Sequence, residues 1–478
     1  MATMTEKKSN VNTPCSAYAD VEERYRLVAA LMGGTTAMRA EGENYLPQYP
    51  KETRERYKDR LKVSVLYEAF SSTVRNLSGR PFGQSVQLSE DSNGWYDDMI
   101  GDIDAQGTDM TVFARNCLED ILIYGKCHVL AEYPNTYELQ EQLGRPITRA
   151  DEMQQNIRPY LVRLSPRDVI GWRTERQGGQ EVITRLRYRV NKTMPSADSD
   201  WEDKQRKCVV VWTPETITVH EQTEEGDWVA GAPSVNTLGM IPVCTVYANR
   251  VGPLMAHPPL EALAHLNQKH WKNQSDQDQI EEVARIPMLH MTGYDPKEVQ
   301  TLEVAAYKIV ANRNPAAQMQ VVETNGSAVT VGQESLKELV QQMEDMALEA
   351  LRRRSSGSKT ATEVALQVGR NVSDLEAYCV LLEKGLAKSL YYMSLWSGLR
   401  IEYPTVKIST DFGFSYGAEK ELAEIREDYK LGVITADRYL FERKRRGLYS
   451  EEMDIDEEIE EAMAQTADIF DDAAEAGE

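Results

Sequence analysis

Among six histidines, His265 and His270 come nearest to a metal-ligand pair, and they stand five residues apart. Helical ligand pairs need the four-residue step of H-E-x-x-H, so these two leave ordinary helix-surface histidines as the competing interpretation. The 76 carboxylates include no pair that the sequence marks as acid and base. G-x-x-x-x-G-K-[ST], G-x-S-x-G and G-x-G-x-x-G are all absent. These residues imply no catalytic constellation, no metal and no cofactor, and so point away from an enzyme. What remains is electrostatic. Arg352, Arg353 and Arg354 run into Ser355, Ser356, Gly357, Ser358 and Lys359, a local charge of +4 in a chain of net charge −22. The cluster fits a helix C-terminus whose basic residues complement the dipole. It equally fits a flexible loop that meets phosphates without reading bases.

The carriers of that loop must be helices. Thr360 and Glu363 have capping-box spacing at the start of a long amphipathic segment over about 361–397. Val364, Val368, Val372, Leu375, Cys379, Leu382, Leu386, Leu390 and Met393 recur there in steps of three or four. At a rise of 1.5 Å per residue such a helix is a strut of roughly 55 Å. Before the loop, Leu336, Leu339, Val340, Met343, Met346 and Ala350 predict another helix over 333–352. Further upstream, Pro258-Pro259 opens a helix over about 259–284. Leu260, Leu263 and Leu266 make its first half amphipathic, whereas QKHWKNQSDQDQIEE is nearly all polar. A helix polar all round contacts other chains, lines water or is an exposed surface helix.

The rest reads as an α+β body. Helices are expected over 18–33, 51–76 and 108–124, and a strand over 126–133. Short β-rich runs follow at Tyr160–Leu164, Val182–Val190, Cys208–Trp212, Thr216–His220 and Val243–Ala248. Between these two helices, 286–332 reads as a small α/β insert: the run Ile286–Met291, a turn at Gly293-Tyr294-Asp295-Pro296, a short helix, and strands near Tyr307–Val310, Gln318–Val322 and Ala328–Val331. Alone it buries only a thin core. Thr405–Ser409 reads as a strand, and helices follow over 417–431 and 435–446.

Length, at 478 residues, allows about three domains. Mean hydropathy is −0.52, and no run approaches the roughly 18 apolar residues of a membrane span. The opening MATMTEKKSNVNTPCS lacks an apolar signal core. Six unpaired-looking cysteines fit free thiols in a reducing compartment. Residues 451–478 carry thirteen carboxylates and no Lys or Arg, more than half the net charge. That balance argues against an outer surface that grips nucleic acid, though not against DNA contact at a local basic loop.

Three stretches, in this order, resemble tailed-bacteriophage portal proteins, in particular the branch first catalogued as a domain of unknown function. LNQKHWKNQSDQDQIEEVARIPMLHMTG (266–293) is similar to the first stem helix and its exit. VVETNGSAVTVGQESLKELVQQMEDMALEAL (321–351) is similar to the approach to the second stem helix. SKTATEVALQVGRNVSDLEAYCVLLEKGLAKSLYYMSLWSG (358–398) looks like the Thr-Ala-Thr-Glu signature and the long helix after the tunnel loop. SSTVRNLSGRPFGQSVQL (71–88) is a weaker fit.

The resemblance implies a portal-type α+β fold. Residues 1–17 would be a disordered N-terminus, and 18–255 with 399–450 an α/β wing. Residues 256–284 and 333–352 would be the two-helix stem, 285–332 a small α/β clip and 353–360 the tunnel loop. Residues 361–398 would be the long helix towards wing and crown, and the acidic tail 451–478 would leave the crown short or disordered. It also implies a homo-oligomeric, dodecameric ring at one capsid vertex of the virion, assembled in the host cytoplasm. Its partners would be double-stranded DNA (sequence-independent), the terminase large subunit, a head–tail adaptor, and the major capsid and scaffold proteins, with no membrane. DNA-facing residues would be Arg352 to Lys359 in the tunnel loop. Lys269, Lys272, Asn273 and Asp276 are the channel candidates on the first stem helix. The alternatives are another capsid-associated connector or scaffold protein, and a soluble α+β enzyme.

Overall fold

The computed structural model describes residues 10–88, 94–134, 136, 143–195, 201–285, 288–292, 318–322, 327–349, 374–399, 402–410, 425–445 and 458–459. The chain forms two compact units, Met1–Ile408 and Ser409–Glu478. The Arg352–Lys359 loop, the Thr360–Glu363 spacing, residues 361–373 and the Tyr307–Val310 run lie outside the described residues.

The first unit begins with helices α1 (Glu22–Met32), α2 (Gly34–Glu41), α3 (Arg54–Val63), α4 (Ala69–Gly79) and α5 (Met110–Tyr124). Asp109 caps α5, its Oδ1 accepting from the amides of Thr111 at 2.7 Å and Val112 at 2.9 Å. Leu118, Ile121 and Leu122 point inward as their spacing requires, whereas Val112 is exposed. The single helix expected over 51–76 is two. Arg39 donates through Nε and Nη2 to the Ser64 carbonyl at 3.0 and 2.8 Å, and Thr35 Oγ1 accepts the Leu66 amide at 3.1 Å. These bonds occupy backbone groups that a continuous helix would need for itself.

Strands β1 (Gln87–Leu88), β2 (Lys126–Glu132) and β3 (Tyr160–Leu164) come next. A longer run follows: β4 (Val169–Gln177), β5 (Gln180–Pro195), β6 (Asp203–Trp212), β7 (Thr216–Gln222), β8 (Trp228–Ala230) and β9 (Ser234–Val235). They form one antiparallel six-stranded sheet, with β9 pairing on β7. β4 was not anticipated, yet its turn carries the signal. Gln177 pairs with Gln180 across Gly178-Gly179, whose φ values of +57° and +87° suit a two-residue hairpin turn. Pairing also extends β5 and β6 well beyond their apolar centres.

β10 (Val243–Tyr247) joins β2 and β3 in a three-stranded antiparallel sheet, and β11 (Asn249–Gly252) pairs with β12 (Met255–His257). One apolar core links the two larger sheets. It joins Leu130, Leu164 and Val243 to Leu186, Tyr188, Val210 and Trp212.

Three long helices follow in this unit, α6 (Glu261–Arg285), α7 (Ser327–Glu349) and α8 (Asp374–Trp396). Between α6 and α7 lie β13 (Met288–Thr292) and β14 (Gln318–Val322), which pair antiparallel. α8 packs on β2, β3, β10 and α5. Leu375, Cys379, Leu382, Leu386, Leu390 and Met393 are all at most 1% exposed, so the stripe seen in sequence is the buried face. A Cβ at Gly385 would fall 2.2 Å from Val246 Cγ2, so glycine sets how closely α8 approaches β10. β15 (Val406–Lys407) pairs with β1. All six cysteines are free thiols, five of them buried.

In the second unit, residues 425–430 are helical and α9 spans Ala436–Arg445. Thr435 Oγ1 accepts the Arg438 amide at 3.3 Å, and Tyr429 stacks on Tyr439 at 4.7 Å.

Candidate functional site

The sequence predicts a pair of helices bridged by a small insert, and α6, β13, β14 and α7 have that connectivity. α6 packs on α7. The C-terminal part of α6 meets the N-terminal part of α7, so the helices run antiparallel. Gln277 Nε2 donates to the Val329 carbonyl at 3.0 Å, and Gln333 Nε2 donates to Glu281 Oε1 at 3.1 Å. A Cβ at Gly332 would fall 1.9 Å from Gln277 Oε1. The expected strand at Ala328–Val331 is the first turn of α7 instead. Its β-branched residues favour strand only weakly, and packing along α6 overrides that preference.

The polar half of α6 is not a free surface. Asn267, His270, Trp271, Ser275 and Gln277 are buried within this one chain. Asn267 spans the break between α3 and α4. Its Nδ2 donates to the Tyr67 carbonyl at 2.8 Å, and its Oδ1 accepts the Phe70 amide at 3.0 Å. The His270 ring lies 5.4 Å from that of Tyr67, and burial lowers its pKa. One turn on, Ser275 Oγ reaches Ser64 Oγ at 3.2 Å and Arg60 Nη1 at 3.5 Å.

Arg60 is the centre of this dock. It donates to both oxygens of Glu52 at 2.8 Å and to the Pro47 carbonyl at 2.9 Å. Both side chains of the pair are 3% exposed. The guanidinium lies 4.3 Å from the Tyr49 ring centre. Hydrogen bonding from Arg60 holds the Glu52 carboxyl below its ordinary range despite burial. Tyr49 donates to Asp276, and burial together with that bond pushes the phenol up to about 12.

Of the sequence-derived channel candidates, Lys269 and Lys272 are exposed, and Asn273 and Asp276 are half-buried. Spacing places the four on one stripe of α6, but Asp276 is drawn to Tyr49. Exposed carboxylates are spread along the helix pair: Asp278, Glu282, Glu334, Glu338, Glu344 and Asp345. Arg352, Arg353, Arg354, Ser355, Ser356, Gly357, Ser358 and Lys359 lie outside the described residues. Among the described residues no group of three or more His, Cys, Asp or Glu could hold a metal. No described helix is long and apolar enough to cross a membrane. Sequence reasoning missed the dock because isolated polar residues carry no period. The one available signal was Trp271, fully buried here, standing alone in the polar run.

Residues 259–397 match the family described as Domain of unknown function (DUF4055). No curated protein matches the chain. Among solved structures, the chain is similar to a chain of the virion of a native gene transfer agent particle. Identity is 10%, the TM-score 0.36, and the likeness covers 77% of this chain and 88% of the other. A chain in the neck of the empty particle, computed with C6 symmetry, is similar at 11% identity and a TM-score of 0.38, over 79% and 88% of the two chains. A chain in the neck of the native particle, computed with C12 symmetry, is similar at 10% identity and a TM-score of 0.37, again over 79% and 88%. Scores this low do not define a shared fold.

Proposed function

We propose that this chain is the portal subunit of a tailed-phage-like particle, a connector that forms a dodecameric ring at one capsid vertex. What carries this reading is the antiparallel pair α6–α7, joined through β13 and β14 and followed by the long helix α8. That order of parts falls within the stretch shared with the matched family, and it is the order of stem, clip and long helix. Helices 256–284 and 333–352 then act as stem, 285–332 as clip, 353–360 as tunnel loop and 361–398 as the strut. The wing comprises 18–255 and 399–450.

The physical division of labour is simple. A stem must be rigid while its exposed face stays wet. Docking through Arg60, Asn267 and Ser275 gives α6 rigidity without an apolar outer stripe. Carboxylates along the helix pair repel a duplex, and Lys269 and Lys272 temper that repulsion. Arg352, Arg353, Arg354 and Lys359 make transient, sequence-independent phosphate contacts, so DNA slides rather than binds. The clip is the docking site for the terminase large subunit during packaging and for the head–tail adaptor afterwards. The wing faces the major capsid and scaffold proteins. The work is mechanical and electrostatic, with no turnover of substrate by this chain.

Negative-stain images of the purified protein test the reading. Rings of about twelve subunits with a central hole are expected, as closed cyclic symmetry requires. A monomer that forms no ring under any condition, or a closed assembly without a hole, overturns it, and the latter points to a scaffold or plug. Replacing Arg352, Arg353 and Arg354 by Ala is expected to leave rings intact and to reduce packaged or retained DNA.

A further inference from the structure

Strands β4, β5 and β6 hold nine Lys and Arg residues but only three carboxylates, in a chain of net charge −22. The pleat sorts these cations. Trp172, Leu186, Tyr188, Val210 and Trp212 face the core. Arg173, Arg185, Arg187, Arg189 and Lys207 therefore fall on the opposite face. Arg173 stands directly across from Arg185, Arg187 from Val211, Arg189 from Val209 and Lys207 from Asn191. Among the described residues no carboxylate is within ion-pair distance of these five side chains. Cations on the other face behave differently, since Lys192 and Arg206 share Glu221 at 3.3 and 3.0 Å.

The neutral contacts of this face leave its charge in place. Arg187 donates to the Val11 carbonyl at 2.6 Å and Arg189 to Asn12 Oδ1 at 2.8 Å. Gly171 makes room for Arg187, because a Cβ there would fall 2.4 Å from Nη2. Burial, and after it Arg185, lowers the Arg187 pKa. Like charges directly opposite on neighbouring strands destabilise a sheet. The Arg173–Arg185 pair is thus a cost that folding does not require, and an anion would relieve it.

The chemistry of the anion follows from the spacing and the surroundings. Alternate residues of β5 are about 6.7 Å apart, so Arg185, Arg187 and Arg189 form a row rather than a single-anion pocket. Four of the five cations are Arg, the side chain that grips phosphate in bidentate fashion. Beside the cations the face carries Val209 and Val211, with Thr218 and His220 flanking them on β7 and Asn191 on β5, and none of the aromatic anchors that centre protein interfaces. At physiological salt the field decays over about 8 Å, so distant carboxylates do not cancel the row, and Asp168, which feels the Arg189 charge, offsets only that end of it. We propose that this face of the six-stranded sheet binds the sugar–phosphate backbone of duplex DNA without reading its sequence. It is separate from the tunnel loop and needs neither a ring nor a channel.

The test uses full-length protein carrying Arg352, Arg353 and Arg354→Ala, so that the loop cations cannot supply the signal. Binding to a labelled duplex of about 30 base pairs is followed by anisotropy from about 50 to 300 mM salt. The affinity is expected to fall with salt with a log–log slope of about −2.7 to −4.5, for three to five phosphates neutralised. Adding R173E and R185E is expected to weaken binding at least about tenfold at about 100 mM salt, with R173Q and R185Q intermediate. K58E with K62E, exposed cations of α3 outside both this face and the α6–α7 pair, is expected to leave affinity unchanged. Circular dichroism melts check folding, and the Gln variants, which remove charge alone, keep the test decisive where Glu variants misfold. An unchanged affinity in the folded Gln and Glu variants overturns the proposal. So does a parent that ignores DNA at about 50 mM salt but binds polyglutamate through Arg173 and Arg185, an outcome that assigns the face to an acidic protein.

Discussion

α8 and α6 are both long helices of the first unit, 23 and 25 residues, and they are held by opposite means. α8 buries an unbroken row of Leu, Cys and Met against the sheet of β2, β3 and β10. α6 buries Asn267, Ser275 and Gln277, each bonded to particular backbone or side-chain groups, and sets His270 against the Tyr67 ring. An apolar face holds a helix in place but tolerates repacking. A polar face fixes register, because each buried donor left without its acceptor is penalised. That contrast suits the roles proposed above for the two helices, α8 as a strut anchored in a body and α6 as a stem whose position must not slip.

The contrast is broken most directly at the Arg60–Glu52 pair. Glu52→Ala leaves a guanidinium buried and uncompensated, with an expected loss of about 3–5 kcal/mol in urea unfolding. Replacing both partners by apolar residues should recover most of it. A single-variant loss below about 1 kcal/mol, the surface-pair value, would mean that the dock is wet and the two helices are held alike. In the dry region, Leu386→Ala is expected to cost about 2–5 kcal/mol through the cavity it leaves. Gly385→Ala should cost about 1–3 kcal/mol by forcing α8 off Val246. Asn267→Ala comes next. It strips the Tyr67 carbonyl and the Phe70 amide of their partner, at about 1–3 kcal/mol for each buried group left unpaired. Hydrogen exchange at the start of α4 should accelerate with it, whereas Leu386→Ala should leave those amides protected.

These two helices also mark what the sequence could disclose. The period of α8 is visible because burial there follows helix geometry, so Leu375 to Met393 announce their own face. Tyr160–Leu164 was legible as a short apolar run before Ser165-Pro166, and Gln318–Val322 as a short run between the turn residues Asn314-Pro315 and Asn325-Gly326. Nothing local marks Asn267, because its partners at Tyr67 and Phe70 are about two hundred residues away. The split of 51–76 was hidden likewise, since Arg39 and Thr35 create it from outside the segment. The cation row on β5 became visible only with register, which set Arg173 opposite Arg185 and turned a scatter of basic residues into one face.

The smallest effect probes the exception in the dry region. Lys126 is fully buried at the start of β2, donating to the Leu254 carbonyl, with Tyr25 and Trp172 ring centres at 5.7 and 5.1 Å. Burial pulls its ammonium down to about 8. In the unfolded chain the same group keeps its proton to about 10.4. Between those values the unfolded state binds more protons, so stability rises with pH through this window and carries the full penalty below it. Wild type should therefore gain on the order of 1 kcal/mol relative to Lys126→Met between about pH 7 and pH 9. Urea midpoints at several pH values read that difference directly. A gap that stays constant would mean that Lys126 keeps an ordinary ammonium. The apolar side of the comparison would then be wetter than its packing indicates, and the contrast with α6 would be one of degree.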